Sequence, residues 1–180
     1  MQRFYWTTRG IQGRFNDISL LVASSAVRDE SGNITPEATA AIKDIQRMST
    51  LLHQLYWASV VKRFNVLTTP EGLSFFRSFG GVTEEEYESL KEASEKGLGV
   101  NHAAMTWLTA RLNMALQRGD FQMDHMTIYE KITNMRMLMA RIPDMYDGRM
   151  PIAYVHFVHM LTSTLIMISP VALFPVLYYW

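Results

Sequence analysis

The sequence predicts an all-α protein in which long helices are followed by one membrane-spanning helix at the C-terminal end. Apolar residues recur with a helical period of about 3.6 along most of the chain, and no segment alternates as a strand would. The 17 basic and 17 acidic residues all precede position 150, so residues 150–180 carry no charge. About 20 apolar residues in a helix cross a bilayer, and we therefore expect this uncharged stretch to span a membrane.

The composition excludes several classes of protein. A net charge of zero gives no basic surface of the kind that nucleic-acid binding requires, so we expect no nucleic-acid partner. The absence of Cys excludes disulfides, thiolate zinc sites and Cys nucleophiles. The chain has 180 residues, of which 48% are hydrophobic, and this allows one domain with a real core.

The first predicted helix covers residues 2 to about 27. Its apolar positions follow a helical period from Ile11 onward and are Phe4, Ile11, Phe15, Ile18, Leu21, Val22 and Ala26. Residues 28–33 combine charged residues with Ser, Gly and Asn, which indicates a turn.

A second, long helix is predicted to begin after Thr35 and to run to about Phe64. Thr35 supplies a capping oxygen, Pro36 needs no amide partner in the first turn, and Glu37 favours the positive end of the helix dipole. The polar side of this helix carries Lys43, Asp44 and Arg47, and the apolar stripe consists of Ala38, Ala41, Ile42, Ile45, Met48, Leu52, Leu55, Tyr56, Ser59 and Val60.

Two shorter helices are predicted next. Thr69, followed by Pro and Glu, begins a helix that ends at residues 80–81, where two Gly residues stand together. Thr83 and Glu86 are spaced as a capping box, which begins an acidic, exposed helix that runs to about Glu95.

The last two helices before the predicted membrane span follow from similar signals. Asn101 is a candidate cap for a helix through Leu116, and Gly119 ends that helix. Another helix is predicted from about residue 123 to 142. Pro143 then begins a predicted loop at 143–148.

Candidate catalytic and metal-binding residues are few. His156 and His159 lie three residues apart on the predicted span and would share a helix face, but no carboxylate or Cys nearby completes a ligand set. Asp124, His125 and Glu130 are more simply read as a solvated helix face. The sequence also lacks the usual zinc, phosphate-loop and serine-nucleophile motifs, so we expect neither a cofactor nor an enzymatic activity.

Four blocks of the sequence occur in an order and spacing that indicate a family. They are Arg3-Phe4-Tyr5-Trp6 with Asn16-Asp17-Ile18-Ser19, then Val60-Val61-Lys62-Arg63-Phe64, then Gly80-Gly81-Val82-Thr83-Glu84-Glu85-Glu86-Tyr87, and finally Arg149-Met150-Pro151-Ile152-Ala153-Tyr154-Val155-His156. In these blocks the chain resembles the bestrophin family of anion channels.

The resemblance implies a homopentamer around a central anion pore. Residues 1–149 would then form a helical cytosolic vestibule, and 150–180 would form a transmembrane helix that looks truncated at its C-terminal end. In the family, the residue just before the proline of the fourth block faces the pore aperture. Met150 matches that residue, with Pro151 setting the start of the helix and Tyr154 supporting it one turn on.

The resemblance also implies roles outside the aperture. Lys62 and Arg63 would attract anions within the vestibule; the alternative interpretation is that both are solvated charges at the end of a helix. The calcium site of the family would lie beyond residue 180 and therefore outside this sequence. The expected partners are membrane lipids, chloride or other anions, and further copies of the chain or other membrane subunits.

Two other functions remain open at this point. One is a non-conducting structural membrane subunit of a larger complex, derived from a bestrophin. The other is a soluble helical interaction module whose apolar tail is buried by a partner. The sequence favours an integral membrane protein and does not distinguish the plasma membrane, the endoplasmic reticulum and the plastid thylakoid.

Overall fold

A computed structural model of the chain describes residues 2–146, 156–165 and 167. Across those residues the regular structure is helical, apart from two isolated β-bridges. The elements are α1 (Gln2–Ser25), α2 (Pro36–Val60), a 3₁₀ helix (Lys62–Thr68), α3 (Pro70–Ser78), α4 (Glu84–Glu95), α5 (Val100–Arg118) and α6 (His125–Tyr146). The predicted all-α class is therefore confirmed.

The chain divides into two units, Met1–Pro143 and Asp144–Trp180. In the second unit, residues 156–165 are helical and their side chains are exposed. Within the part of the chain that the structure describes, no helix has both the length and the apolar character that crossing a membrane requires. Most of the predicted span at 150–180 lies outside the described residues.

Helix α2 supplies the largest share of the core in the first unit. Most of its predicted apolar stripe is buried, whereas Ser59 is exposed. One continuous cluster joins α2 to the buried faces of α1, α3, α4, α5 and α6; its fully buried members include Ile11, Ile18, Met48, Leu52, Leu55, Leu73, Leu90, Leu108 and Ile128. Since burying one such side chain contributes about 1.5–3 kcal/mol, this cluster is the main source of stability for the fold.

The predicted caps of α2, α3 and α4 are confirmed. Thr35 and Thr69 each accept a hydrogen bond from the amide three residues further on, at 3.3 Å. The amide of Glu86 donates to the hydroxyl of Thr83 at 3.3 Å, and the amide of Thr83 donates to the carboxylate of Glu86 at 2.9 Å. Both hydrogen bonds of the predicted capping box are thus present.

Several predicted boundaries are wrong. Helix α2 ends at Val60 rather than near Phe64, because the chain tightens there into the 3₁₀ helix. Helix α5 begins at Val100, and Gly99 takes the cap position that Asn101 was predicted to hold. The face of α4 that carries Glu86 is buried, although the sequence predicts that the whole helix is exposed.

Helix α6 continues through Pro143 to Tyr146, where the sequence predicts a loop. Proline has no backbone N–H, so the carbonyl of Met139, four residues earlier, loses its helical partner. The hydroxyl of Tyr56 on α2 donates to that carbonyl at 2.9 Å, in a buried position. This hydrogen bond gives the carbonyl of Met139 the partner that the proline cannot supply.

Two close backbone contacts fix the positions of neighbouring elements. Ala26 and Phe121 form an antiparallel bridge between the ends of α1 and α5, with backbone hydrogen bonds of 3.0 and 2.7 Å beside it. At Gly72, α3 lies so close to the 3₁₀ helix that an added Cβ would be 2.1 Å from the carbonyl oxygen of Val66. Only glycine fits at that contact.

Candidate functional site

The structure describes one of the two sites that the sequence predicts. The predicted aperture residues Met150, Pro151 and Tyr154 lie outside the described residues. The predicted vestibule cations Lys62 and Arg63 are the first two residues of the 3₁₀ helix, directly after α2. This cationic corner, residues 62–68, is therefore the predicted site whose geometry is defined.

The cationic corner is exposed at residues 62–66, whereas Leu67 and Thr68 are half-buried and Leu67 packs against the core. None of its side chains is buried, and Lys62 and Arg63 pair with no carboxylate among the described residues. The exposed fractions of Phe64 and Val66 are 47% and 62%. The corner thus presents two uncompensated positive charges to solvent, next to two apolar side chains.

The C-terminal end of the corner is in contact with two neighbouring helices. On one side it lies against α3 at Gly72, where the backbones touch. On the other side, the hydroxyl of Ser94 on α4 donates to the carbonyl of Thr68 at 2.7 Å. Both contacts lie at residues 66–68, the end of the corner away from Lys62 and Arg63, which follow α2 directly.

A second charged feature is an ion-pair network that joins α2, α4 and α5. The Nη1 and Nη2 atoms of Arg47 donate to the two carboxylate oxygens of Glu86, at 2.6 and 3.0 Å. Arg47 also donates to Asp44 at 2.8 Å and to the carbonyl of Gly81 at 3.2 Å. Arg111 of α5 lies 3.4 Å from Asp44 and 3.6 Å from Glu86.

The two central groups of this network are locked in their charged forms. Burial by itself would raise the pKa of Glu86, but the hydrogen bonds from Arg47 and from the amide of Thr83 hold that pKa below its usual value. The hydrogen bond to Glu86 raises the pKa of Arg47, against a smaller opposing effect of burial. Neither group exchanges a proton near neutral pH, so the network ties helices together and is not an acid–base pair.

Sequence reasoning places Arg47 on the polar side of α2 and Glu86 in a capping box, and it misses their pairing. The two residues are 39 positions apart, and no local signal connects them. The one available hint is the capping box itself, which fixes the carboxylate of Glu86 at the start of α4. Which side chain pairs with that carboxylate depends on how α2 packs against α4, and the local sequence does not determine that packing.

The other candidate residues do not assemble into a site. Asp124, His125 and Glu130 are exposed, as predicted for a solvated helix face. His156 and His159 are also exposed, within the second unit. Across the residues with described positions, no three His, Asp or Glu side chains are grouped closely enough to hold a metal ion.

No family model matches the chain, and no curated protein or solved structure matches it either. Function is therefore argued from the residues of the chain itself. They provide an exposed cationic corner at the end of α2, a partly buried ion-pair network that joins α2, α4 and α5, and an uncharged C-terminal stretch at 150–180.

Proposed function

We propose that the chain is a bestrophin-like subunit of an anion channel, in which several copies, five by the resemblance, surround a pore for passive anion flow. The observation that carries the proposal is the pair of exposed, uncompensated cations Lys62 and Arg63, at the end of α2 and within one of the four resembling blocks. The uncharged stretch at 150–180 would supply the membrane helix.

In this proposal the cationic corner raises the local concentration of anions. Exposed charges interact through water and are screened beyond about 8 Å at physiological ionic strength. Lys62 and Arg63 therefore attract anions without holding any of them tightly, which suits a conduction path. Repetition of the pair in each copy would line the vestibule with positive charge.

The aperture would be formed by Met150, with Pro151 and Tyr154 behind it. A ring of thioether side chains is apolar, so it favours weakly hydrated anions and can close by losing its water. Methionine is longer and more flexible than the Ile or Val that is usual at this position in the family, so the width of the ring would differ.

The test begins with the full chain, purified in detergent from its native membrane. We expect one type of subunit in five copies and chloride efflux from liposomes that contain the purified complex. Arg63→Glu should lower the efflux several-fold at low salt and less at high salt, because screening weakens its effect. The matched control is Arg28→Glu, an exposed cation in the turn before α2, which should leave the efflux nearly unchanged.

Two outcomes would contradict the channel. A single copy that is bound to other membrane proteins and conducts nothing would support the alternative of a structural membrane subunit derived from a bestrophin. A chain that remains in solution without detergent would support the helical interaction module.

If the pentamer conducts, Met150→Ala should reduce the discrimination between chloride and iodide, because the ring becomes wider.

A further inference from the structure

The helix at residues 156–165, in the second unit, has two chemically different faces. On its apolar face, Phe157, Met160, Leu161, Thr164 and Leu165 surround an open groove. The exposed fractions of Leu161 and Leu165 are 51% and 62%. This face therefore offers a large apolar surface, of the kind that lipid covers along a membrane helix.

The opposite face carries three exposed polar side chains, His156, His159 and Ser163, which we call the histidine stripe. They are spaced by three and four residues, and at 100° per residue they lie within about 60° of each other around the helix axis. Leu161 lies midway between His159 and Ser163 in sequence, but about 170° around the helix from the centre of the stripe. The stripe and the apolar face are therefore opposite each other at the same level of the helix.

The histidine stripe differs from the other polar residues of the helix in its hydrogen bonds. The hydroxyls of Thr162 and Thr164 each donate at 2.8 Å to the backbone carbonyl four residues earlier, so the helix itself satisfies them. Within the part of the chain that the structure describes, the side chains of the stripe have no hydrogen-bond partner, and no third ligand joins the two histidines in a metal site. The three polar groups thus need a partner from outside this helix.

The chemistry of the stripe favours one kind of partner. Polar side chains in a membrane helix face other protein or a water-filled cavity, because lipid tails cannot accept or donate a hydrogen bond. Imidazole and hydroxyl groups supply N–H and O–H donors. Residues 150–180 contain no Asp or Glu, so no carboxylate beside these donors would repel an anion or attract a cation.

We propose that the histidine stripe lines the anion path, where its N–H and O–H groups replace part of the water around a passing chloride ion. The inference rests on the proposed channel, and it names the residues of the membrane helix that contact the ion beyond the aperture at Met150. The apolar face with Leu161 then lies against lipid. In the competing arrangement, the stripe bonds to a neighbouring helix and never meets water.

The test is the reaction of single cysteines in the full chain, reconstituted in liposomes. The chain has no cysteine of its own, so each introduced thiol is the only one present. His159→Cys and Ser163→Cys should react with sulfonatoethyl methanethiosulfonate at least about tenfold faster than the matched control Leu161→Cys, because a thiol surrounded by lipid stays protonated and unreactive.

The charge of the reagent distinguishes an anion path from an ordinary water-filled cavity. Trimethylammonioethyl methanethiosulfonate carries a positive charge and reacts with the same thiols. After each rate is divided by the rate with free mercaptoethanol, the anionic reagent should react faster than the cationic one at His159→Cys and Ser163→Cys.

Chloride efflux tests the donors themselves. His159→Leu should lower the efflux several-fold, whereas His159→Gln keeps an N–H donor and should retain most of it. His125→Leu, at an exposed position of α6, is the control and should leave the efflux nearly unchanged. Circular dichroism of each variant checks that the helices are intact.

The inference is overturned if Leu161→Cys reacts as fast as His159→Cys, if neither reacts, or if the cationic reagent is the faster one. These outcomes do not depend on conduction, so chloride efflux that persists beside them would leave the proposed channel standing. The expected labelling without any efflux would support the stripe and contradict the channel.

Discussion

The hydroxyl of Tyr56 donates to the carbonyl oxygen of Met139 at 2.9 Å, in the place of the backbone amide that Pro143 lacks. The bond joins α2 to α6 across 83 positions of sequence, and both residues are buried. A single side chain thus stabilises a helix that its own sequence would interrupt.

Tyr56→Phe should lower the free energy of unfolding by about 1–3 kcal/mol, because it leaves a buried carbonyl without its partner. The measurement is the midpoint of urea unfolding, followed by circular dichroism. The control is Tyr129→Phe, which removes an exposed hydroxyl that donates to Asn113 at 2.8 Å. That change should cost less than about 0.5 kcal/mol, and equal losses in the two variants would contradict the role of Tyr56.

Glu86→Gln should lower the free energy of unfolding at neutral pH by about 2–3 kcal/mol. Glutamine keeps the shape and the capping acceptor of glutamate, so the loss reports the charge that pairs with Arg47 and Arg111. Glu84→Gln is the matched control, since Glu84 pairs with Arg77 at the exposed start of the same helix. It should change stability by less than about 1 kcal/mol.

Glu86 should also make the stability of the fold depend on pH in the acidic range. The folded pKa of Glu86 lies below its ordinary value of 4.5, so its stabilising effect is complete above pH 4.5. The effect is lost as the pH falls from there through the folded pKa. Glu86→Gln should therefore show a smaller loss of stability than the unmodified chain below pH 4.5. An identical loss in the two proteins would contradict the assignment.

His53 should make the stability of the fold depend on pH at values closer to neutral. The indole N–H of Trp57 donates to Nε2 of His53 at 3.0 Å, and burial lowers the pKa of that imidazole from its ordinary 6.5. A folded pKa below the unfolded one means that stability is complete above pH 6.5 and is lost as the pH falls through the folded pKa. Urea midpoints measured from pH 7.5 to 5 should show the decline.

His53→Gln retains a hydrogen-bond acceptor and removes the titration, so its urea midpoint should depend less on pH over this range. His125→Gln, at an exposed position of α6, should keep the pH dependence of the unmodified chain. A decline that persists in His53→Gln would assign the effect to another group.

Replacing each of two glycines with alanine should change the stability of the fold in opposite directions. Gly72→Ala places a methyl group against the backbone of Val66 and Leu67, and should cost about 1–3 kcal/mol or more. Gly13 lies within α1 with no atom within 4 Å of an added Cβ, so Gly13→Ala should gain about 0.5–1 kcal/mol. Thermal unfolding midpoints distinguish these changes, and a loss in Gly13→Ala would contradict the open space at that position.

The helix starts could be predicted because their signals are local. Thr35, Thr69 and Thr83 each cap an amide three residues away, and a contact of that range is visible in the order of the residues. The apolar stripe of α2 was predictable for the same reason, since its period follows from helix geometry alone.

The remaining features depend on partners that are distant in sequence. Pro143 is an ordinary signal for the end of a helix, yet α6 continues to Tyr146, and the carbonyl that lacks a partner is bonded by Tyr56 from another helix. The sequence identifies Glu86 only as an exposed capping residue, whereas in the structure Glu86 also pairs with Arg47 and Arg111. Of the two charged features, the cationic corner was predicted from a family resemblance, whereas the ion-pair network depends on the packing of α4 and α5 against α2.

The bridge between Ala26 and Phe121 has a consequence for the order of folding. It closes a chain of about 95 residues, and closure of that length costs about 4 kcal/mol of entropy. Its two backbone hydrogen bonds return only about 1 kcal/mol each, so the bridge is not a nucleus that can form alone. We therefore expect it to form after α2 and α5 have packed, so that weakening it accelerates unfolding and leaves the folding rate nearly unchanged.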